Sequence, residues 1–135
     1  MEVEWTATDL DSGLLCYTPQ RSSVRDYVAR IEALLALGAG YSEVNWADRA
    51  YPHLALSFRG GYGVVHRFSA DGKVFLLAGG DAIGADETVS VPVLDDDYDT
   101  SFTGEYVLTA ERAWAAVREF LRHGSVEDLG EWEEM

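Results

Sequence analysis

HLALSFRGGYGVVHRFSADGKVFLLA, running from His53 to Ala78, is the stretch that decides the fold. It holds three β-rich runs: His53–Arg59, Tyr62–Ser69 and Lys73–Ala78. Gly60-Gly61 separates the first two, and Ser69-Ala70-Asp71-Gly72 separates the last two. Glycine tolerates positive φ and Asp bonds readily to nearby amides, so both separators read as tight turns. Strands that follow each other through turns this short pair antiparallel.

Outward from this stretch the pattern continues. Glu43–Trp46 and Thr88–Leu94 read as further strands, with short ones at Glu2–Thr8, Gly13–Tyr17 and Asp128–Trp132. Two segments change period. Val24, Tyr27, Val28, Ile31, Leu34 and Leu35 form one apolar stripe of a helix. Ser22 or Ser23 caps its start, Asp26 sits in its first turn, and Gly38 and Gly40 end it. Ala110, Ala113, Trp114, Val117, Phe120 and Leu121 repeat the same spacing after Thr109, and Gly124 stops that helix. The expected fold is α+β. It has an antiparallel sheet of about five to seven strands with two amphipathic helices packed on one face, in a single domain over residues 1–135. Gly79–Glu87 and Asp95–Gly104 read as looser segments.

Charge narrows the class of partner. The chain has 24 acidic and 10 basic residues, a formal net charge of −14. Fourteen of the acids fall between Asp86 and Met135, against only Arg112, Arg118 and Arg122. A phosphate backbone or an anionic membrane needs Lys and Arg, so nucleic acid and membrane surfaces are not expected partners. A negative surface of this size instead steers a basic protein. No apolar run approaches the roughly 20 residues of a spanning helix. The acidic start, Met-Glu-Val-Glu-Trp, lacks the basic and then apolar order of a secretory signal, so a cytoplasmic location is expected.

The motifs that carry chemistry are weak. Cys16 is the single cysteine and lies in Leu14-Leu15-Cys16-Tyr17, where it reads as a small buried hydrophobe. Gly60-Gly61-Tyr62-Gly63 and Gly79-Gly80-Asp81-Ala82-Ile83-Gly84 resemble phosphate loops in glycine content, but neither opens a helix. Asp95, Asp97 and Asp99 have the spacing that begins a calcium loop. Thr100 stands where that loop needs Gly, and Tyr106 where it needs Glu. His53, His66 and His123 show no zinc spacing, and no serine sits in a G-x-S-x-G elbow. Accordingly no catalytic residue, metal or cofactor is expected. The expected partner-binding residues are Asp95, Asp96, Asp97, Tyr98 and Asp99, with Asp81, and with Glu131, Trp132 and Glu133 as a second patch. Two alternatives stay open: a small metal-dependent hydrolase using Asp95, Asp97 or Glu105 with a histidine, and an acidic adaptor domain.

Val117-Arg118-Glu119-Phe120-Leu121, then Gly124, then Glu131-Trp132-Glu133 resembles the ending of immunity protein family 1 of bacterial polymorphic toxin systems. Gly61-Tyr62-Gly63-Val64-Val65, running through Asp71-Gly72 to Phe75 and Gly79, is similar to that family's central hairpin. Where the family often has Arg-Pro or a similar pair after the Gly, this chain has Ser125-Val126-Glu127-Asp128. The resemblance implies a non-enzymatic α+β inhibitor. It would cover the basic active-site cleft of a cognate toxin, typically a nuclease or nucleic-acid deaminase.

Overall fold

The computed structural model describes residues 2–135, and for Asp95, Asp96, Asp97 and Tyr98 the backbone alone. In chain order the strands and helices are β1 (Glu2–Thr8), β2 (Leu15–Ser23), α1 (Val24–Leu37), β3 (Ala39–Trp46), β4 (His53–Arg59), β5 (Tyr62–Phe68), β6 (Val74–Leu77), β7 (Thr88–Val93), β8 (Asp95–Thr103), β9 (Leu108–Thr109), α2 (Ala110–His123) and β10 (Trp132–Glu134). Among the described residues eight strands form one sheet in the order β10-β6-β5-β4-β3-β1-β2, with β9 beside β5. Every pairing in it is antiparallel. The fold is α+β, as the pattern of strands and helices implies.

Both helices begin and end where their capping residues stand. The Ser23 hydroxyl accepts from the Asp26 amide at 3.1 Å, and the Thr109 hydroxyl accepts from the Arg112 amide at 3.1 Å. Gly38 and Gly124 close the helices in left-handed conformation. Gly40 lies beyond the first helix, in β3. Tyr27, Ile31 and Leu34 of α1 and Trp114, Val117 and Phe120 of α2 share one core with Val44, Leu54, Leu56, Phe58 and Val65 of the sheet. Tyr27 meets Trp114 across the two helices, their ring centroids 6.3 Å apart.

The other face of the sheet is covered as well. β7 and β8 pair with each other as a separate two-stranded sheet, and Val91 and Phe102 pack on Val64 and Leu76. Val93 extends the contact to Tyr41, Ala55 and Leu15. The segment Asp95–Gly104 is thus mostly strand, not loop. Its inward residue Phe102 is buried while Thr100, Ser101 and Thr103 are exposed, so an acidic, polar run still pairs with β7.

Two further expectations change. The strand expected at Gly13–Tyr17 starts at Leu15 and is longer: β2 reaches Ser23. β2 is an edge strand paired only with β1, and its residues 16–21 are exposed on both faces, so it lacks the alternation of a half-buried strand. Cys16 is exposed for the same reason, and within Leu14–Tyr17 only Leu15 turns inward. The last strand begins at Trp132 rather than Asp128, because residues Glu127–Leu129 form a 3-10 turn first.

Candidate functional site

Three backbone segments converge at the end of β6. The Ala78 amide donates to the Glu131 carbonyl at 2.8 Å, and the Gly80 amide donates to the Glu105 carbonyl at 2.7 Å. Gly80 is needed there, since a Cβ would overlap the carbonyls of Val107 and Gly104. These bonds gather the Gly79–Asp81 loop, the 3-10 turn Gly104–Tyr106 and the approach to β10 into one acidic surface.

On that surface carboxylates crowd each other. A hydrogen bond to Glu133, then the charges of Glu133 and Glu131, hold the Glu105 carboxyl above its ordinary range. The Tyr106 hydroxyl donates to Glu133 Oε1 at 3.3 Å, and desolvation followed by the charges of Glu105 and Glu133 raises its pKa. The neighbouring cation is Arg112, whose Nη1 donates to the Gly79 carbonyl at 2.9 Å and lies 3.8 Å from Asp81 Oδ1. The Asp81 side chain is 89% exposed, so this contact is a loose one. Of the expected partner-binding residues, the fold therefore brings Asp81, Glu131 and Glu133 to one end, around Glu105.

The remaining expected residues lie elsewhere. Asp99, on β8, accepts both arms of the Arg59 guanidinium from β4. Arg59 holds the Asp99 carboxyl below its ordinary range. The side chains of Asp95, Asp96, Asp97 and Tyr98 lie outside the described residues. Trp132 is half-buried; its indole packs against the helix-side core and donates to the Val126 carbonyl at 2.9 Å. Its ring closes the edge of the sheet, while Glu131 and Glu133 on either side stay exposed.

A second polar cluster lies on the sheet face under the β7–β8 hairpin. The Tyr41 hydroxyl donates to Glu43 Oε2 at 2.7 Å, and His53 Nε2 lies 3.5 Å from Glu43 Oε1. The hydrogen bond from His53 does most to lower the Glu43 pKa, against the opposing pull of burial. His53 stacks on Phe68 at 4.4 Å, and Phe102 meets His66 edge-on at 5.5 Å. His66 is 6% exposed, and burial lowers its pKa to about 4, so it is neutral at physiological pH. His66 and Tyr41 line a cleft of about 500 Å³ whose rim holds the Lys73–Glu134 ion pair. The sequence carries one signal for this cluster: Tyr41, Glu43, His53 and His66 alternate along their strands with residues of the helix-side core.

Among the described residues no group of three or more His, Cys, Asp or Glu side chains is placed to hold a metal ion. Glu105 has Glu131, Glu133 and Tyr106 as neighbours rather than a histidine. No helix is long and apolar enough to cross a membrane. No family model matches the chain, and no curated protein matches it either.

Proposed function

We propose that this chain is a non-enzymatic immunity protein. It neutralises a basic bacterial toxin domain, a nuclease or nucleic-acid deaminase, by covering the toxin's active-site cleft. The observation that carries this reading is the crowding of Glu105, Glu131 and Glu133. Their mutual repulsion is relieved when a cation approaches. A cleft built to hold phosphates presents Lys and Arg, and this carboxylate surface has the complementary charge. Carboxylates would occupy the positions of substrate phosphates, so inhibition would be competitive with nucleic acid.

Association in such a pair is steered by charge, while buried apolar contacts set how long the complex lasts. Ile83 and Val89 are partly buried on the hairpin side of the sheet, and Asp81 lies in the same connecting segment. The direct experiment is co-expression in a bacterial host with the C-terminal domain of the protein encoded immediately upstream. Restored growth supports the reading. Undiminished killing at equal expression of both proteins would contradict it.

A further inference from the structure

Arg67 is a half-buried cation held by aromatic rings and not by a carboxylate. Among the described residues Arg21, Arg49, Arg59, Arg112, Arg122 and Lys73 each contact a carboxylate; Arg25, Arg30 and Arg118, like Arg67, do not, but Arg30 donates to the Thr8 carbonyl. Arg67 has no carboxylate within 4.0 Å and no hydrogen-bond acceptor among the described residues. It is half-buried on β5 rather than free in solvent. Its guanidinium is instead held by two rings, 4.1 Å from the centroid of Phe75 and 5.2 Å from that of Trp132. Trp132 is itself fixed by its bond to the Val126 carbonyl. The result is a planar, permanently charged group with a defined orientation and spare donors.

Arg67 lines a cleft of about 270 Å³ with the hydroxyl-bearing side chains of Tyr51 and Ser69. Glu127 also lines it, yet makes no ion pair with Arg67. We infer that this cleft binds a carboxylate, through the exposed Nη edge of Arg67. Nε is sealed from solvent, so the contact is end-on through the two terminal nitrogens. A planar monoanion fits that fork, and the Glu127 carboxylate among the lining residues disfavours a dianion more than a monoanion. The carboxylate is either that of a small free acid or the terminus of a peptide chain. This assignment is independent of the immunity reading, since it concerns the opposite charge and a different cleft.

The test follows the Arg67 Nε–H and Trp132 indole N–H resonances of the whole protein by NMR during titration. The probes are sodium acetate and an N-acetylated dipeptide, each against sodium chloride at equal ionic strength. Saturable shifts of both resonances beyond those with chloride are expected, and the dipeptide amide should give none. A stronger response to the dipeptide than to acetate assigns the site to a chain terminus, and an equal response assigns it to small acids. In Arg67→Gln the Trp132 shift should weaken by at least about tenfold in apparent affinity. Arg67→Lys, which keeps the charge and loses the fork, should weaken it by less. Linear shifts equal to those with chloride, or tighter binding of inorganic phosphate than of acetate, would overturn the proposal. The titration of the natural protein decides the matter even where a variant fails to fold.

Discussion

Arg59 on β4 and Asp99 on β8 are joined through two parallel hydrogen bonds, with Nη2 of the one 2.9 Å from Oδ1 of the other. Forty residues apart in sequence, they tie the outer hairpin to the central sheet. Asp99→Asn keeps the shape and removes the charge. Hydrogen exchange of the β7 and β8 amides should then quicken several-fold, with the β3–β4 amides unchanged. Because Arg59 lowers the folded pKa of Asp99, the contribution is present above the ordinary carboxylate pKa. It is lost as pH falls through the folded value. Acid should therefore loosen this hairpin in the natural protein and have less effect in Asp99→Asn.

His66 lies beneath the same hairpin and responds to acid in the same direction. Its folded pKa, about 4, is below the unfolded value of 6.5, so the unfolded chain binds more protons between them. Stability should fall as pH drops from about 6.5 to about 4 and level off below. The loss attributable to His66 is about 3 kcal/mol, with Glu43 the facing charge that moderates it. Urea unfolding across this range checks the slope, and His66→Phe should flatten it. An imidazole titration midpoint near 6.5 by NMR would contradict the assigned burial.

Helix α2 lies so close to β5 that Gly63 has no room for a side chain. A Cβ there would stand 2.8 Å from the Ala113 Cβ. Gly63→Ala should destabilise by about 1–3 kcal/mol through overpacking. Gly61, where a Cβ would meet nothing within 4 Å, serves as the control and should tolerate Ala. Equal unfolding midpoints for the two variants would contradict the close helix–sheet approach.

The buried hydroxyl pair in the helix-side core predicts an asymmetric mutant cycle. Tyr27 Oη lies 2.8 Å from Ser42 Oγ, which donates to the Thr6 carbonyl at 2.9 Å. Tyr27→Phe leaves Ser42 bonded and should cost about 0.5–1.5 kcal/mol. Ser42→Ala strands the Tyr27 hydroxyl and should cost about 1–3 kcal/mol. The double variant should lose less than the sum of the singles, read from urea midpoints at constant m.

The parts legible in the sequence are those where one period and one cap agree. Val24–Leu35 and Ala110–Leu121 show an apolar stripe bounded by Ser23 or Thr109 and by Gly38 or Gly124, and each helix forms within a residue of those marks. The antiparallel run from β4 to β6 follows from its two short turns. β2 was hidden because an edge strand exposed on both faces carries no alternation, so Thr18–Ser23 looks like loop. β8 was hidden by its acidic residues. Yet β4 and β5 held an indirect sign of a second cover. Leu54-Ala55-Leu56 and Val64-Val65 are apolar without a break, which a strand solvated on one face avoids. Asp81, Glu131 and Glu133 were legible as acidic residues of the sequence, but their meeting around Glu105 was not. Asp81, Glu105 and Glu133 are far apart in the chain, and hydrogen bonds from the Ala78 and Gly80 amides, the β10–β6 pairing and the Tyr106–Glu133 contact bring them together.

The most direct measurement of the central claim is the association rate with the upstream-encoded toxin domain at low and high salt. It compares the natural protein with a Glu105→Lys, Glu131→Lys, Glu133→Lys variant and with the same reversal at Asp95, Asp96 and Asp97, which leaves Asp99 in its pair with Arg59. The natural protein should associate rapidly at low salt and slow steeply as salt rises, and the Glu105 variant should be slower at low salt and lose less of its rate as salt rises. The Asp95, Asp96, Asp97 variant should be slowed at low salt too. Reversed proteins that associate as fast as the natural one at low salt would contradict the account.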